Sequence, residues 1–270
     1  MGKRAIWLLL FALCVFVGSN AAYADTLQGF ETDTSGWNGT INRVPSGGGT
    51  LSLPAASGSY YAEITNTHDD YQPGYGTAGY TGFDSGTLYT DNFFQSVDLY
   101  VDPSWTSNSG QAFWLDGAPD TLGGTNYGGE HNFRFNTTGT AVNVSVDGQL
   151  GYIASIANAG WYTFEMTYTR GANPTDLVTT QMNVYDSAHN LIGSTSVLSD
   201  SPMGPLLSSD LSGPGYYWFT VWENGAAGDT VGIDNLRTGS INPVPEPGSL
   251  LLLGTGIAGF AGRIRKRFTR

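Results

Sequence analysis

The sequence predicts an all-β protein, a two-sheet antiparallel β-sandwich, with one helix at each end of the chain outside the sandwich. Short segments of alternating apolar and polar residues recur between Gly, Pro, Asn and Asp turns, and no segment of the body keeps a helical period. No repeat of about 20 to 50 residues indicates a solenoid or a propeller. Aromatic residues make up 13% of the chain and charged residues only 13%. This composition suits strands joined by many turns and argues against disorder.

The first element is an N-terminal signal helix. Lys3 and Arg4 precede an apolar run over residues 5–17, and Ala22-Tyr23-Ala24 places small residues where a signal peptidase cleaves. We therefore predict a signal peptide over residues 1–24, and Asp25 as the first residue of the mature chain. An N-terminal membrane anchor is the alternative, and the short apolar run disfavours it.

The position of the cysteine agrees with an exported chain that has no disulfide bonds. Cys14 is the one cysteine of the sequence and lies inside the predicted signal peptide, after Leu13 rather than after a small residue. Attachment of a lipid at Cys14 is therefore not expected. The mature chain would have no disulfide bond and no zinc site built on cysteine.

Nine segments of the body have the pattern of strands. In residues 93–102 the apolar residues Val97, Leu99 and Val101 alternate with polar ones, as on a half-buried strand. Residues 142–147 repeat the alternation, and the dipeptide Asp147-Gly148 then supplies a turn. The other predicted strands are residues 60–64, 111–115, 131–135, 162–168, 180–185, 216–222 and 231–236.

The strands predict one domain over residues 25–239, followed by a linker over residues 240–249. The body, residues 25–243, contains 22 Asp and Glu residues, four Arg residues and no Lys, a formal charge of −18. Such a surface repels phosphate backbones, so nucleic acid is excluded as a partner. Solubility outside the cell is a sufficient reason for the acidity.

The last element is an apolar helix, predicted over residues 250–264 and followed by a basic tail over residues 265–270. Its apolar part, residues 250–262, would be about 20 Å long, against about 30 Å of hydrocarbon in a bilayer. A C-terminal core helix is the alternative, but the segment has no polar face. We expect a transient hold in the inner membrane, with the basic end in the cytoplasm. The basic residues that stop translocation would be Arg263, Arg265, Lys266, Arg267 and Arg270.

The tail resembles the PEP-CTERM sorting domain of Gram-negative, exopolysaccharide-producing bacteria. Pro245, Glu246 and Pro247 give the short motif, and the glycine-rich apolar segment and the basic cluster follow it. The resemblance implies that an exosortase, a membrane-embedded cysteine protease, recognises and processes the tail. Signal peptidase and exosortase would then be the partners during export, with exopolysaccharide a further candidate partner.

The body resembles jelly-roll domains of the concanavalin-like and carbohydrate-binding-module type. The matching segments are residues 27–37 (LQGFETDTSGW), 95–102 (QSVDLYVD), 160–164 (GWYTF) and 232–237 (GIDNLR). The resemblance implies that the first and last strands lie close together. It also implies a structural calcium near those strands, with Glu31 and Asp234 at the matching acidic positions, although the chain has no compact Asp-rich loop. No other cofactor is expected.

Motifs that carry enzyme chemistry are missing from the sequence. There is no His-Glu-x-x-His, no Gly-x-Ser-x-Gly, and no Lys or Cys in the body, residues 25–243, to act as a nucleophile. The Glu-x-Asp-x-x-Glu strand of laminarinase-type jelly rolls is also absent, because Gly36 stands where its second glutamate would be. Glu130, Glu165 and Glu223 would pair only if the fold brought them together. We therefore assign no catalytic residue and predict that the protein is not an enzyme.

Tryptophans are the candidates for carbohydrate binding. In residues 216–222 both strand faces carry bulky side chains, although an antiparallel sheet normally buries one face. If Trp218 and Trp222 are exposed, they would stack on sugar rings, and if they are covered, they belong to the core. Trp105 and Trp114 are further candidates with the same alternative.

These observations predict an exported protein of the cell surface or extracellular matrix with a structural or adhesive sandwich. A carbohydrate-binding module and a glucanase-like enzyme are the alternatives. Two carboxylates about 5 to 10 Å apart in a groove would favour the enzyme, and an exposed aromatic platform would favour the binding module.

Overall fold

The structure is a computed structural model that describes residues 25–38, 41–65, 80–84, 92–105, 111–119, 131–147, 150–199, 206–209, 211, 216–222 and 230–241. These residues belong to one compact unit, Tyr23–Ile241. The predicted signal helix, sorting helix, Pro-Glu-Pro motif and basic tail lie outside the described residues, so they and the domain boundaries stay predictions. Among the described residues, no helix has the length and apolar character needed to cross a membrane.

The described part of the chain is built from strands and turns. The strands are β1 Asp25–Gln28, β2 Trp37–Asn38, β3 Asn42–Pro45, β4 Tyr60–Thr65, β5 Tyr80–Asp84, β6 Phe93–Val101, β7 Gln111–Pro119, β8 His131–Thr137, β9 Val142–Val146, β10 Tyr152–Ile156, β11 Gly160–Thr169, β12 Thr179–Tyr185, β13 Leu191–Ser194, β14 Tyr216–Trp222 and β15 Thr230–Ser240.

The strands form two antiparallel sheets. Sheet A has the order β13-β12-β11-β6-β15-β4-β3, with β1 also paired to β15, and sheet B has the order β10-β9-β8-β7-β14-β5-β2. This arrangement confirms the predicted all-β, two-sheet antiparallel sandwich. All nine predicted strands are present. The alternation pattern missed β1, β2, β3, β5, β10 and β13, which are short or lie at sheet edges.

The core lies between the two sheets and is formed by the alternate positions that the sequence marks as apolar. Val97, Leu99 and Val101 of β6 are completely buried. Phe164 of sheet A packs edge-to-face against Phe133 and Phe135 of sheet B, with ring centroids 5.1 and 5.0 Å apart. Such aromatic contacts add about 0.5 to 1.5 kcal/mol each beyond the area that they bury. They hold the sheets together at the centre of the sandwich.

The first and last strands of the body are neighbours, as the jelly-roll resemblance implies. β1 runs antiparallel to β15, with Asp25 opposite Thr238. β15 also pairs with β4 on one side and with β6 on the other. The last strand is therefore a central strand of sheet A.

Glu63 of β4 is a buried carboxylate that holds residues 50 and 51 against sheet A. Its oxygens accept hydrogen bonds from the backbone N–H groups of Thr50 and Leu51, each at 2.8 Å, and from the Tyr61 hydroxyl at 2.9 Å. Burial is the main reason that the pKa of Tyr61 is raised to about 12. Gly49 has φ +73°, and a Cβ at that position would lie 2.4 Å from Glu63 Oε1. A buried charge is stable here because three donors surround it.

Candidate functional site

A row of polar and aromatic residues crosses the outer face of sheet B. The strand register places Trp114 of β7 opposite Arg134 of β8, Arg134 opposite Ser145 of β9, and Ser145 opposite Tyr152 of β10. Paired residues of an antiparallel ladder lie on the same face, and neighbouring strands are about 4.8 Å apart. The row is therefore about 14 Å long. Its alternate neighbours Leu115 and Phe133 are in the core, which fixes the row on the outer face.

Arg134 is the centre of this row. Its guanidinium carbon lies 4.9 Å from the centroid of the Trp114 ring, a cation–π contact. Its Nη2 forms an ion pair with Asp147, and its Nε donates a hydrogen bond to Asn132 Oδ1 at 3.0 Å. Asn132 also donates to the Asp147 carboxylate. The side chain is thus held in place by three neighbours, although about a third of it, 35%, is exposed.

Hydroxyl and amide groups extend the site beside Arg134. Asn136 Nδ2 donates a hydrogen bond to Ser145 Oγ at 3.1 Å. An open groove on this face is lined by Arg134, Asn136, Ser145, Asp147 and Tyr152, among others. Tyr152 is 61% exposed. The face therefore combines an exposed aromatic ring with fixed donors and acceptors, the two kinds of group that a sugar ring with an apolar C–H face and polar hydroxyls requires.

Of the four predicted tryptophan sites, the structure brings Trp114 into this row. Trp105 is instead a core residue with only 6% exposure, and it packs edge-to-face on Phe135 at 6.3 Å. A side chain buried in this way has no face left for a ligand. Of the two roles that the sequence left open for Trp105, the structure favours the core role.

Trp218 and Trp222 lie at register positions on the core side of sheet B. β14 pairs with β7 so that Thr220 is opposite the buried Leu115, and positions 218 and 222 share its face. Their side chains lie outside the described part of the structure. The register favours the core role over the exposed platform that the sequence also allowed.

Glu31 and Asp234, the predicted calcium ligands, both hold the segment of residues 57–60. Glu31 Oε1 accepts hydrogen bonds from the backbone N–H groups of Ser59 at 2.9 Å and Tyr60 at 3.1 Å. Asp234 Oδ2 accepts one from the N–H of Ser57 at 3.1 Å. Glu31 and Asp234 thus both bind the backbone of one loop.

The oxygens at this loop do not fit a calcium ion as they are arranged. Calcium takes six to eight oxygen ligands. Asp234 Oδ1 already accepts the N–H of Asn235 at 2.8 Å, and Arg43 donates to the backbone carbonyls of Phe30 and Glu31, both at 2.5 Å. Among the residues that the structure describes, no three His, Cys, Asp or Glu side chains form a group that could hold a metal. The structural calcium stays an untested prediction.

Two carboxylates also lie next to each other on the outer face of sheet A. A catalytic pair would have to be accessible to a substrate. Asp98 of β6 pairs in register with Asp234, but both are buried. Asp98 accepts hydrogen bonds from Thr163 at 2.6 Å and Asn235 at 2.8 Å, and it forms an ion pair with Arg237 at 3.3 Å. Buried carboxylates that are occupied in this way are not open to a substrate.

Of the three glutamates that could pair for catalysis, Glu165 is the one in the described part of the chain. It accepts hydrogen bonds from Asn183 at 3.2 Å and from the Tyr185 hydroxyl at 3.1 Å. Burial and then the charge of Glu165 raise the pKa of Tyr185 to about 12. Glu130 and Glu223 lie outside the described residues.

One family model matches the chain, and it matches the tail. Residues 243–266 fit the PEP-CTERM protein-sorting motif. The motif implies export across the membrane, processing by an exosortase and a surface or extracellular location. The resemblance drawn from Pro245, Glu246 and Pro247 is thereby confirmed.

Solved structures of sandwich proteins are similar to the body at low identity. A legume lectin-like domain from Entamoeba histolytica is 13% identical, with 82% of this chain and 100% of that chain covered and a TM-score of 0.43. A PL-14 alginate lyase from Aplysia kurodai is 12% identical over 68% and 84%, with a TM-score of 0.41. A CBM2 module of the evolved Dit protein of Lactobacillus casei phage J-1 is 11% identical over 83% and 97%, with a TM-score of 0.42. The likeness does not decide between a binding protein and an enzyme. No curated protein sequence matches the chain.

Sequence reasoning missed the polar members of the sheet B row. Residues 131–135 were predicted as a strand, and its alternation separates Asn132 and Arg134 from the apolar positions. Arg134 is also one of only four cations in the body. Those two signals mark Arg134 as an outer-face residue, but the register that joins it to Trp114 and Tyr152 requires the structure.

Proposed function

We propose that this is a structural or adhesive protein of the cell surface or exopolysaccharide matrix of a Gram-negative bacterium. The sorting motif at residues 243–266 supports its delivery there. The inner membrane would hold the chain transiently while an exosortase processes the tail. The sandwich would then act outside the cell without catalysis.

We further propose that the adhesive contact is with polysaccharide, on the outer face of sheet B. The observation that carries this proposal is the row Trp114–Arg134–Ser145–Tyr152, which presents aromatic rings and fixed hydrogen-bonding groups on one open face. The protein would then be a matrix protein that adheres by binding carbohydrate, which combines the matrix role with the carbohydrate-binding alternative. The buried, occupied state of Asp98 and Asp234 favours binding over hydrolysis.

Affinity electrophoresis of the exported protein tests this function. Gels containing dextran, laminarin, galactomannan, polygalacturonate or carboxyl-reduced polygalacturonate should show retardation by at least one polysaccharide. Tyr152→Ala and Trp114→Ala should each weaken that binding about 2- to 10-fold, the usual contribution of an aromatic contact. Tyr185→Ala, which removes an aromatic ring from the outer face of sheet A, is the matched control and should bind as the wild type does.

Melting temperatures of all three variants show whether each protein is folded at the temperature of the gel. Equal retardation of the wild type and a folded Tyr152→Ala protein would place the binding surface elsewhere. Absence of retardation by every polysaccharide would remove the adhesive proposal.

A further inference from the structure

The charges on the outer face of sheet B limit the kind of polysaccharide that it can accept. We propose that the ligand is an uncharged polysaccharide and that uronate-containing chains are rejected. This inference rests on the proposed function, since it names the ligand class of the same face.

The one cation of the described part of this face is already neutralised. Arg134 forms its ion pair with Asp147, and Asp147 keeps only 11% of its side chain exposed. A guanidinium recognises a sugar carboxylate best through two parallel N–H bonds. Here Nη2 and Nε of Arg134 donate to Asp147 and Asn132. A uronate would have to displace Asp147, which would leave that carboxylate without its main partner.

The other charged positions of this face are acidic. Asp116 of β7 is opposite Asn132. Asn132 lies two residues before Arg134 on β8 and on the same face. Asp84 of β5 is opposite position 217 of β14, one of the outer-face positions of that strand. The register positions of this face therefore include three aspartates, at positions 84, 116 and 147, against one arginine. A polyanion on it meets a net negative charge.

The charge of the whole body acts in the same direction. Residues 25–243 have a formal charge of −18, with no lysine. At physiological salt this field extends about 8 Å from the surface, so an acidic polysaccharide is repelled before contact. A neutral chain meets no such barrier, because its hydroxyl groups both donate and accept hydrogen bonds and need no counter-charge.

A matched pair of polysaccharides tests the inference. Polygalacturonate and its carboxyl-reduced form have the same backbone and differ in the charge at C6. We expect the exported protein to bind the reduced form at least about 10-fold more tightly than the acid form at about 50 mM NaCl. We expect binding to the neutral chain to be the same at about 500 mM NaCl.

One substitution should convert the specificity. Asp147→Asn frees the Arg134 guanidinium from its ion pair, so the variant should gain binding to polygalacturonate that salt then weakens. Asp186→Asn removes the same charge from the turn between β12 and β13 in sheet A, and it should leave the preference unchanged.

Each outcome separates the inference from the function on which it rests. Equal or tighter binding of the acid form, lost in Tyr152→Ala, would overturn the inference and keep the proposed function. Absence of binding to every polysaccharide would overturn both.

Discussion

Asp98 of β6 and Asp234 of β15 face each other as a direct cross-strand pair, and both carboxylates are buried. They differ in their partners. Asp98 forms the ion pair with Arg237, whereas Asp234 accepts hydrogen bonds from the backbone N–H groups of Ser57 and Asn235. Burial is the main cause, and the charge of Asp98 a further one, that raises the pKa of Asp234 to about 7. Asp234 therefore changes between its neutral and its charged form near neutral pH.

Folding stability should fall as the pH rises from about 4 to about 7. The native pKa of Asp234, about 7, lies above the ordinary value of 3.8 for an aspartate, so the native state binds the proton more tightly than the unfolded state. This stabilisation is complete below the unfolded pKa and is lost as the pH passes the native pKa, with a slope of at most about 1.4 kcal/mol per pH unit.

Urea denaturation of the wild type and Asp234→Asn across this pH range measures the effect. The free energy of unfolding of Asp234→Asn should change less with pH than that of the wild type, whatever its absolute value. Asp102→Asn, in the turn after β6, is the control. If the free energies of unfolding of the wild type and Asp234→Asn change equally with pH, the raised pKa of Asp234 is contradicted.

Gly49→Ala should destabilise the protein more than Gly47→Ala. Both glycines have positive φ, +73° and +79°, so both alanine variants incur the strain of the left-handed region, about 1 to 2 kcal/mol. A Cβ at Gly49 also collides with the Glu63 carboxylate, whereas a Cβ at Gly47 meets no atom within 4 Å. We expect Gly49→Ala to lose about 1 to 3 kcal/mol more, measured as the difference in free energy of unfolding. Equal losses of unfolding free energy in the two variants would mean that the Glu63 carboxylate moves away from the new methyl group without loss of stability.

Chelation should leave the thermal stability of the body unchanged. Glu31 and Asp234 already accept amide hydrogen bonds, and Arg43 occupies the nearby carbonyls. We expect the same melting temperature for the exported protein in excess EDTA and in millimolar calcium. A calcium-dependent rise of several degrees, absent in Glu31→Gln, would restore the calcium site that the jelly-roll resemblance implies.

Replacing Pro245, Glu246 and Pro247 together by alanine should stop maturation of the tail. The motif at residues 243–266 is the feature that an exosortase would read. Cell fractionation with immunoblotting should show the triple variant as a longer form in the inner membrane and the wild type at the surface or in the medium. Identical processing and location of the two proteins would contradict the sorting role.

The sequence predicts well those parts of the fold that depend on local alternation. β9 and β14 were predicted with the bounds that the structure gives or within one residue of them, because strand periodicity is a property of neighbouring residues. β10 and β13 were missed. Both are edge strands with few alternating apolar residues, so their structure depends on the neighbour with which they pair.

The candidate site was predicted only in part for the same physical reason. Trp114 was identified as a candidate by residue type, but so was Trp105, and residue type does not distinguish a core indole from an outer-face one. The row through Arg134 and Tyr152 depends on the register of four strands, and register is set by long-range pairing. No local pattern in a single sequence records it.

The central position of β15 sets the order in which this protein can fold. Residues 230–240 are the last part of the body to be synthesised, yet β4, β6 and β1 all pair with them. Until those residues emerge, the strands on the two sides of sheet A have no common partner. Sheet A can therefore close only after the C-terminal strand of the body has been made, so the end of the body's synthesis sets the time of this folding step.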